Sequence, residues 1–302
     1  MKNIDYYFFK DTNISKYAYD IYHYTSPDGL LGILESNSFR FTHIYFLNDK
    51  SELRYTYDLL LELIEKQKAN LNNNLYEQIR KRAEYVTSRD YLNSECEVLF
   101  REDFYVMSFS KDSDSLSLWN NYTKNLDKTG YCLKLTVNKL IDNIRKNKFD
   151  TFITNSLVCY NRLKQEDSLL SCIMQYNKKY TETTNEQETL SIIQDLMYEF
   201  IMYSLFFKHP KFQIENEYRV IIGNKSHIEE DNIQFRIKNG LFIPFLEIEL
   251  PEKTDIDNRI IDEIKISPVH NEELTIYSLN KLLNKTGYKF LQITKSEIPL
   301  RF

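Results

Sequence analysis

Ile21-Tyr22-His23-Tyr24-Thr25-Ser26-Pro27-Asp28 passes from a two-residue rhythm to a helical one within a few positions. Ile21, His23 and Thr25 fall on one face of an expected strand, and Tyr22 and Tyr24 on the other. Ser26 then suits a helix N-cap, Pro27 the first helical turn, and Asp28 the positive end of the helix dipole. Leu30, Leu31, Ile33 and Leu34 supply a buried stripe, and Asn37 suits the left-handed position that ends a helix. Phe39 to Phe46 returns as a second strand.

Outward from this opening the pattern alternates between short strands and helices. Asp49 with Glu52 matches a capping box, and Leu53, Tyr57, Leu60, Leu61 and Ile64 keep helical spacing behind it. An Asn-rich break at 70–74 separates that helix from another over 76–85. Strands are expected at 104–110, 131–136, 156–160, 217–222, 233–237, 241–250, 263–266 and 289–293. Further helices are expected at 112–121, 137–145 and 273–283, with the longest at 184–208. No repeat and no Pro/Gly-rich linker divides the chain. The expectation is a single α+β domain over 1–302, built on a central mixed or antiparallel sheet, with helical insertions near 50–100 and 165–208.

Composition narrows the function classes. Hydrophobic residues make up 42% and charged residues 27%, which suits a globular protein with a sizeable core. Only six glycines occur, and neither GxGxxG nor GxxxxGK[ST] is present, so a glycine-rich phosphate loop is not expected. A net charge of -5 gives no overall positive field for nucleic acid. Cys96, Cys132, Cys159 and Cys172 are widely spaced without a CxxC pair, which fits free thiols in a reducing compartment. MKNIDYYFFK lacks the apolar stretch of a signal peptide and no run approaches a membrane span, so a cytoplasmic protein without membrane contact is expected.

Several polar side chains stand at the ends of apolar runs, where clefts are lined. His23, mid-strand and just before a helix, can hydrogen-bond a ligand hydroxyl or act as acid or base; it can equally be a core histidine held by a backbone carbonyl. Ser108 and Ser110 share a strand face and can orient a polar ligand, or cap the helix that carries Trp119. Glu215, Glu217 and Arg219, two apart, project together if the strand begins that early. An arginine between carboxylates favours their ionised forms, and a fixed carboxylate can stabilise an oxocarbenium-like transition state; a structural ion-pair row is the alternative. Lys208-His209-Pro210 precedes this cluster, and Arg301 either anchors an anion or staples the tail. His43, Asn48, Asp49 and Glu52 raise a divalent metal, but capping explains the acids and no HxxxH or HxH spacing occurs, so no metal site is expected.

The ordered words Tyr22-His23-Tyr24-Thr25-Ser26, Phe46-Leu47-Asn48-Asp49 with Glu52, and Ser108-Phe109-Ser110 with Trp119 and Tyr122 resemble a large bacterial family. Lys208-His209-Pro210-Lys211-Phe212, Glu215 to Arg219 and Ser296 to Arg301 extend the likeness. That family is known only as a domain of unknown function, found near mobile elements and phage-defence genes. A fainter resemblance is to the ADP-ribosyltransferase superfold. It implies an ADP-ribosyltransferase-like sheet in which His23 contacts an NAD ribose and Glu217, the second acid of Glu215-Asn216-Glu217, is catalytic. Ser108-Phe109-Ser110 is similar to the serine-x-serine strand of that superfold. Tyr24, Thr25, Ser108, Ser110, Trp119, Tyr122 and Arg219 are the candidate binding residues, and the resemblance makes Trp119 and Tyr122 candidates for the aromatic clamp.

Three functions follow as expectations. The first is an NAD-using ADP-ribosyltransferase or NAD glycohydrolase, a toxin or antiviral defence effector with a macromolecular acceptor and a partner protein in such a system. It requires His23 and Glu217 to face one cleft. The second is a non-catalytic module that recognises a nucleotide or nucleic acid. The third is a metal-dependent nuclease around His43 and Asp49.

Overall fold

The sequence around His23 forms β1 (Asp20–Thr25), and Ser26 starts α1 (Pro27–Ser36) by accepting a hydrogen bond from the Gly29 amide at 3.2 Å. Asn37 ends the helix in the left-handed region at φ 51°. The chain then enters β2 (Ser38–His43), which stops before Ile44–Phe46 because those residues coil into a 3-10 turn. The computed structural model describes residues 19–47, 52–88, 104–123, 129–147, 151–224, 230–269 and 271–299. Asn48, Asp49, Cys96, Leu300 and Arg301 lie outside them.

The remaining strands are β3 (Phe104–Ser110), β4 (Tyr131–Thr136), β5 (Thr151–Leu157), β6 (Glu217–Asn224), β7 (Ile233–Lys238), β8 (Leu241–Glu249), β9 (Ile261–Ile266) and β10 (Gln292–Lys295). Their order is β10-β9-β4-β1-β3-β2-β8-β7, with β6 joined to β3 and β5 to β6. β9 and β10 run parallel, while β1–β4, β1–β3, β2–β3, β2–β8, β3–β6, β4–β9 and β7–β8 are antiparallel. The sheet is therefore mixed, as expected, and is combined with helices.

Two compact units divide the chain. The first holds the described residues within Leu47–Arg101 and Ser156–Gln213; the second holds those within Ile14–Phe46, Glu102–Asn155 and Ile214–Phe302. The first unit is built from the two stretches read as helical insertions: α2 (Glu52–Gln67), α3 (Asn73–Thr87), α6 (Arg162–Glu182) and α7 (Glu186–Phe206). Leu60, Ile64, Leu75, Ile79, Leu169, Ile173, Leu196 and Phe200 interlock as its core. Gln165 is buried there with its amide satisfied: Nε2 donates to the carbonyls of Cys159 (2.6 Å) and Lys208 (3.0 Å), and Oε1 accepts from the Tyr55 hydroxyl (2.7 Å). The strand expected at 156–160 lies earlier, at Thr151–Leu157, and α6, which begins at Arg162, gives the first helix of the insertion expected near 165–208.

The second unit contains the sheet with α1, α4 (Leu116–Thr123), α5 (Val137–Lys146) and α8 (Glu272–Thr286). Ile21, Phe39, Phe41, Leu133 and Ile264 lie on one sheet face and are fully buried. The opposite face is more polar, and the candidate residues divide between the two.

Candidate functional site

β3 organises the site because three strands compete for its two edges. β6 pairs along its whole length, from Phe104 opposite Gly223 to Ser110 opposite Glu217. The other edge is shared: β2 takes the beginning, with Thr42 opposite Val106, and β1 takes the end, with Tyr22 opposite Ser110. A fork opens where β1 and β2 part. His23 sits in that fork, its ring 5.8 Å from Phe109 on β3 and 6.3 Å from Phe39 on β2. Its Nδ1 lies 3.2 Å from the Ser108 carbonyl, so the side chain occupies a backbone acceptor between the two strand pairings.

This contact fixes the chemistry of the imidazole. A carbonyl only accepts, so Nδ1 carries the hydrogen and Nε2 keeps a lone pair. Burial pushes the pKa of His23 down to about 4, although the Ser108 carbonyl acts in the other direction. The ring is neutral at pH 7. Among the described residues Nε2 has no protein partner, and His23 is largely but not completely buried. It is a hydrogen-bond acceptor with apolar aromatic flanks.

The register separates His23 from Glu217. Tyr22, Ser110 and Glu217 form one cross-strand row, and residues directly opposite share a face. His23 is the neighbour of Tyr22 in sequence, so its side chain leaves the opposite face together with those of Phe109 and Tyr218. The two residues expected to face one cleft stand on opposite sides of the sheet. Thr25 shares the His23 face and is buried beside α1, where a Cβ at Gly29 would come within 2.1 Å of Thr25 Oγ1.

On the polar face, Arg219 clasps Glu217 with two hydrogen bonds, Nε to Oε1 at 2.8 Å and Nη2 to Oε2 at 3.0 Å. Both side chains are buried, Arg219 completely. Ser108 lies opposite Arg219 on the same face. Glu215 does not join the row, because β6 begins at Glu217 and Asn216 takes φ 42°, which breaks the alternation. The Glu215 carbonyl accepts the Ser110 hydroxyl at 2.8 Å, and Ser110 Oγ accepts from the Asp112 amide at 3.0 Å. Ser110 therefore fastens the turn after β3.

The same turn engages Tyr24 and Trp119. The Tyr24 hydroxyl donates to the Asp112 carbonyl (3.0 Å) and accepts from the Ser115 amide (2.9 Å), and burial pushes its pKa up. Trp119 Nε1 donates to Asp114 Oδ1 at 2.7 Å. Asp114 also accepts from the Ser296 hydroxyl (2.6 Å) and the Glu297 amide (2.7 Å), which joins the Ser296-Glu297-Ile298 segment to this turn. Tyr24 packs edge-on to Trp119 at 4.7 Å and tilted on Tyr122 at 6.2 Å. Asp114 is the hub that the sequence alone does not disclose, since nothing local shows that donors from Trp119, Ser296 and Glu297 converge on its carboxylate.

Residues 118–220 match the model of a family described as a protein of unknown function (DUF2971). The matched stretch includes Trp119, Tyr122, Glu215, Glu217 and Arg219, and leaves out His23, Ser108 and Ser110. No curated protein and no solved structure matches the chain.

His43 is buried and stacked among Tyr45, Phe46 and Tyr105, at 5.1 to 6.0 Å. Among the described residues no group of three His, Cys, Asp or Glu side chains is placed to hold a metal ion, and no helix is long and apolar enough to cross a membrane. Cys132 and Cys172 are buried thiols whose pKa burial pushes up, so neither has the character of a nucleophile. Lys208 and His209 belong to the helical unit, where His209 Nδ1 accepts the Lys211 amide at 3.2 Å and its ring meets Tyr55 at 5.4 Å.

Proposed function

We propose that the sheet unit recognises a ribose-bearing nucleotide, with NAD as the first candidate, through His23, and that it does so without a His23–Glu217 catalytic pair. The observation that carries this reading is the fixed tautomer at the fork: Nδ1–H is tied to the Ser108 carbonyl and the Nε2 lone pair has no protein partner among the described residues. A neutral acceptor between Phe39 and Phe109 suits a ligand hydroxyl that donates to it. With its pKa near 4 the ring stays an acceptor at physiological pH and is poorly matched to moving protons at pH 7.

Calorimetric titration of NAD and of ADP-ribose into the full chain tests the proposal. Binding is expected, and His23→Ala should weaken it by about tenfold, the worth of one net hydrogen bond. Equal affinity in the variant, or no binding of either nucleotide, removes the reading.

A second reading is a transferase or NAD glycohydrolase acting on the polar face, with a macromolecular acceptor in the transferase case. It is favoured by the row Tyr22–Ser110–Glu217, by Ser108 beside Arg219, and by the aromatic group of Tyr24, Trp119 and Tyr122 on that side. Glu217 would then stabilise an oxocarbenium-like transition state. Nicotinamide release that vanishes in Glu217→Gln, with the unfolding midpoint unchanged, would establish it over the binding-only reading. A setting in phage defence or as a toxin, with a partner protein, rests on the sequence resemblance alone.

A further inference from the structure

β7 ends the sheet, and among the described residues it pairs only with β8. Phe235 on β7 stands opposite Pro244 on β8. Proline has no N–H, so these residues cannot exchange the two hydrogen bonds of a bonded antiparallel pair. The N–H and C=O of Phe235 therefore point away from β8, and by the two-residue period those of Ile233 and Ile237 do too. The turn agrees: Asn239 and Gly240, both at positive φ (52° and 78°), make a two-residue hairpin whose closing pair, Lys238 and Leu241, is of the bonded kind. Three residues thus present backbone groups that no described residue pairs, along an edge of the sheet.

The side chains beside that edge are apolar and uncovered. Phe235 is 62% exposed, Ile237 74% and Phe242, opposite Ile237, 70%.

The geometry points to β7 pairing antiparallel with β7 of a second copy of this chain, about a two-fold axis at Phe235. With Phe235 opposite its symmetry mate, Ile233 of each copy lies opposite Ile237 of the other, and every edge-facing N–H and C=O of these residues finds a partner. The apolar faces then run continuously from one copy to the other. Charge supports the same register. β7 begins after Asp231 and ends with Lys238, so antiparallel pairing sets the acidic start of one strand beside the basic end of the other, while the Arg236 guanidinium is held by the Thr42 hydroxyl at 2.9 Å. Gln234 meets Arg236, Asn232 meets Lys238, and no like charges are opposed.

Sedimentation of the full chain over a range of concentrations, with a Phe235→Cys variant under mild oxidation, tests this pairing. The wild-type mass should rise from 36.3 kDa towards twice that value. Bonded antiparallel partners have Cα atoms about 5.5 Å apart, inside the range a disulfide spans, so Phe235→Cys should cross-link to its mate while Gln234→Cys should not. Ile237→Glu, exposed and remote from the core, should remain monomeric with an unchanged circular dichroism spectrum. A wild-type chain that stays monomeric at every concentration overturns the proposal and leaves the edge to a different protein strand. A dimer that survives Ile237→Glu, or that fails to cross-link at position 235, places the interface elsewhere and overturns it equally.

Discussion

Arg219 is completely buried, and the Glu217 carboxylate meets it with two hydrogen bonds on the same strand. Removing the acid leaves a desolvated guanidinium without its bidentate carboxylate, which in buried pairs costs roughly 3–5 kcal/mol. Glu217→Ala should therefore lower the denaturant midpoint strongly, whereas loss of a surface carboxylate would move it little. This sets a condition on any activity test: a Glu217 variant must be shown to be folded before its silence is assigned to catalysis. His23 contributes at the same scale through its depressed pKa. Its folded value of about 4 lies below the ordinary 6.5, so between these values the unfolded chain binds more protons. The stability from this residue is full above pH 6.5 and is lost as pH falls towards 4. Unfolding midpoints measured from pH 4 to 7 should rise with pH less steeply in His23→Gln than in the native chain.

Elements show which information was local. α1 was legible because its signals are contiguous: the Ser26 cap, Pro27 and the left-handed Asn37 all act as the sequence implies. β3 and β4 matched their expected ranges for the same reason, as short apolar runs with clear ends. α6 was legible only as part of a helical insertion, without bounds of its own, because its buried face combines Leu169, Cys172, Ile173 and Tyr176 with Gln165. The burial of that glutamine depends on acceptors at Cys159 and Lys208 that no local pattern announces. Register was hidden more deeply. Whether His23 and Glu217 share a face depends on Tyr22 meeting Ser110 and Ser110 meeting Glu217, pairings between distant segments. The membership of the candidate site was thus partly legible, but its division between two faces was not. A packing prediction belongs to the junction of β1 and α1. Alanine favours a helix over glycine by about 1 kcal/mol, yet a Cβ at Gly29 would lie 2.1 Å from Thr25 Oγ1. Gly29→Ala should lower the thermal midpoint, since overpacking costs about 1–3 kcal/mol. Adding Thr25→Ala should recover part of that loss.

At the scale of the whole molecule, the two units should answer pH in opposite senses. In the helical unit Glu199 is buried near Asp195, and burial followed by that neighbour raises its pKa from 4.5 to about 7, against the opposing effect of Lys179. The folded state then binds more protons than the unfolded one, so the contribution of Glu199 is full below pH 4.5 and is lost as pH rises through 7. His23 acts in the opposite sense in the sheet unit. Hydrogen exchange at pH 5 and pH 7 should show core amides of α6 and α7 better protected at the lower pH, after correction for intrinsic rates, and Glu199→Gln should flatten that difference. The chain also carries a natural label for separating such events. Trp119 is its single tryptophan, and it rests against Tyr24 with its indole held by Asp114 in the sheet unit. Selective excitation of the indole therefore gives an emission signal from the turn after β3 alone, so melting of that turn can be timed in unmodified protein, with no dye or engineered fluorophore.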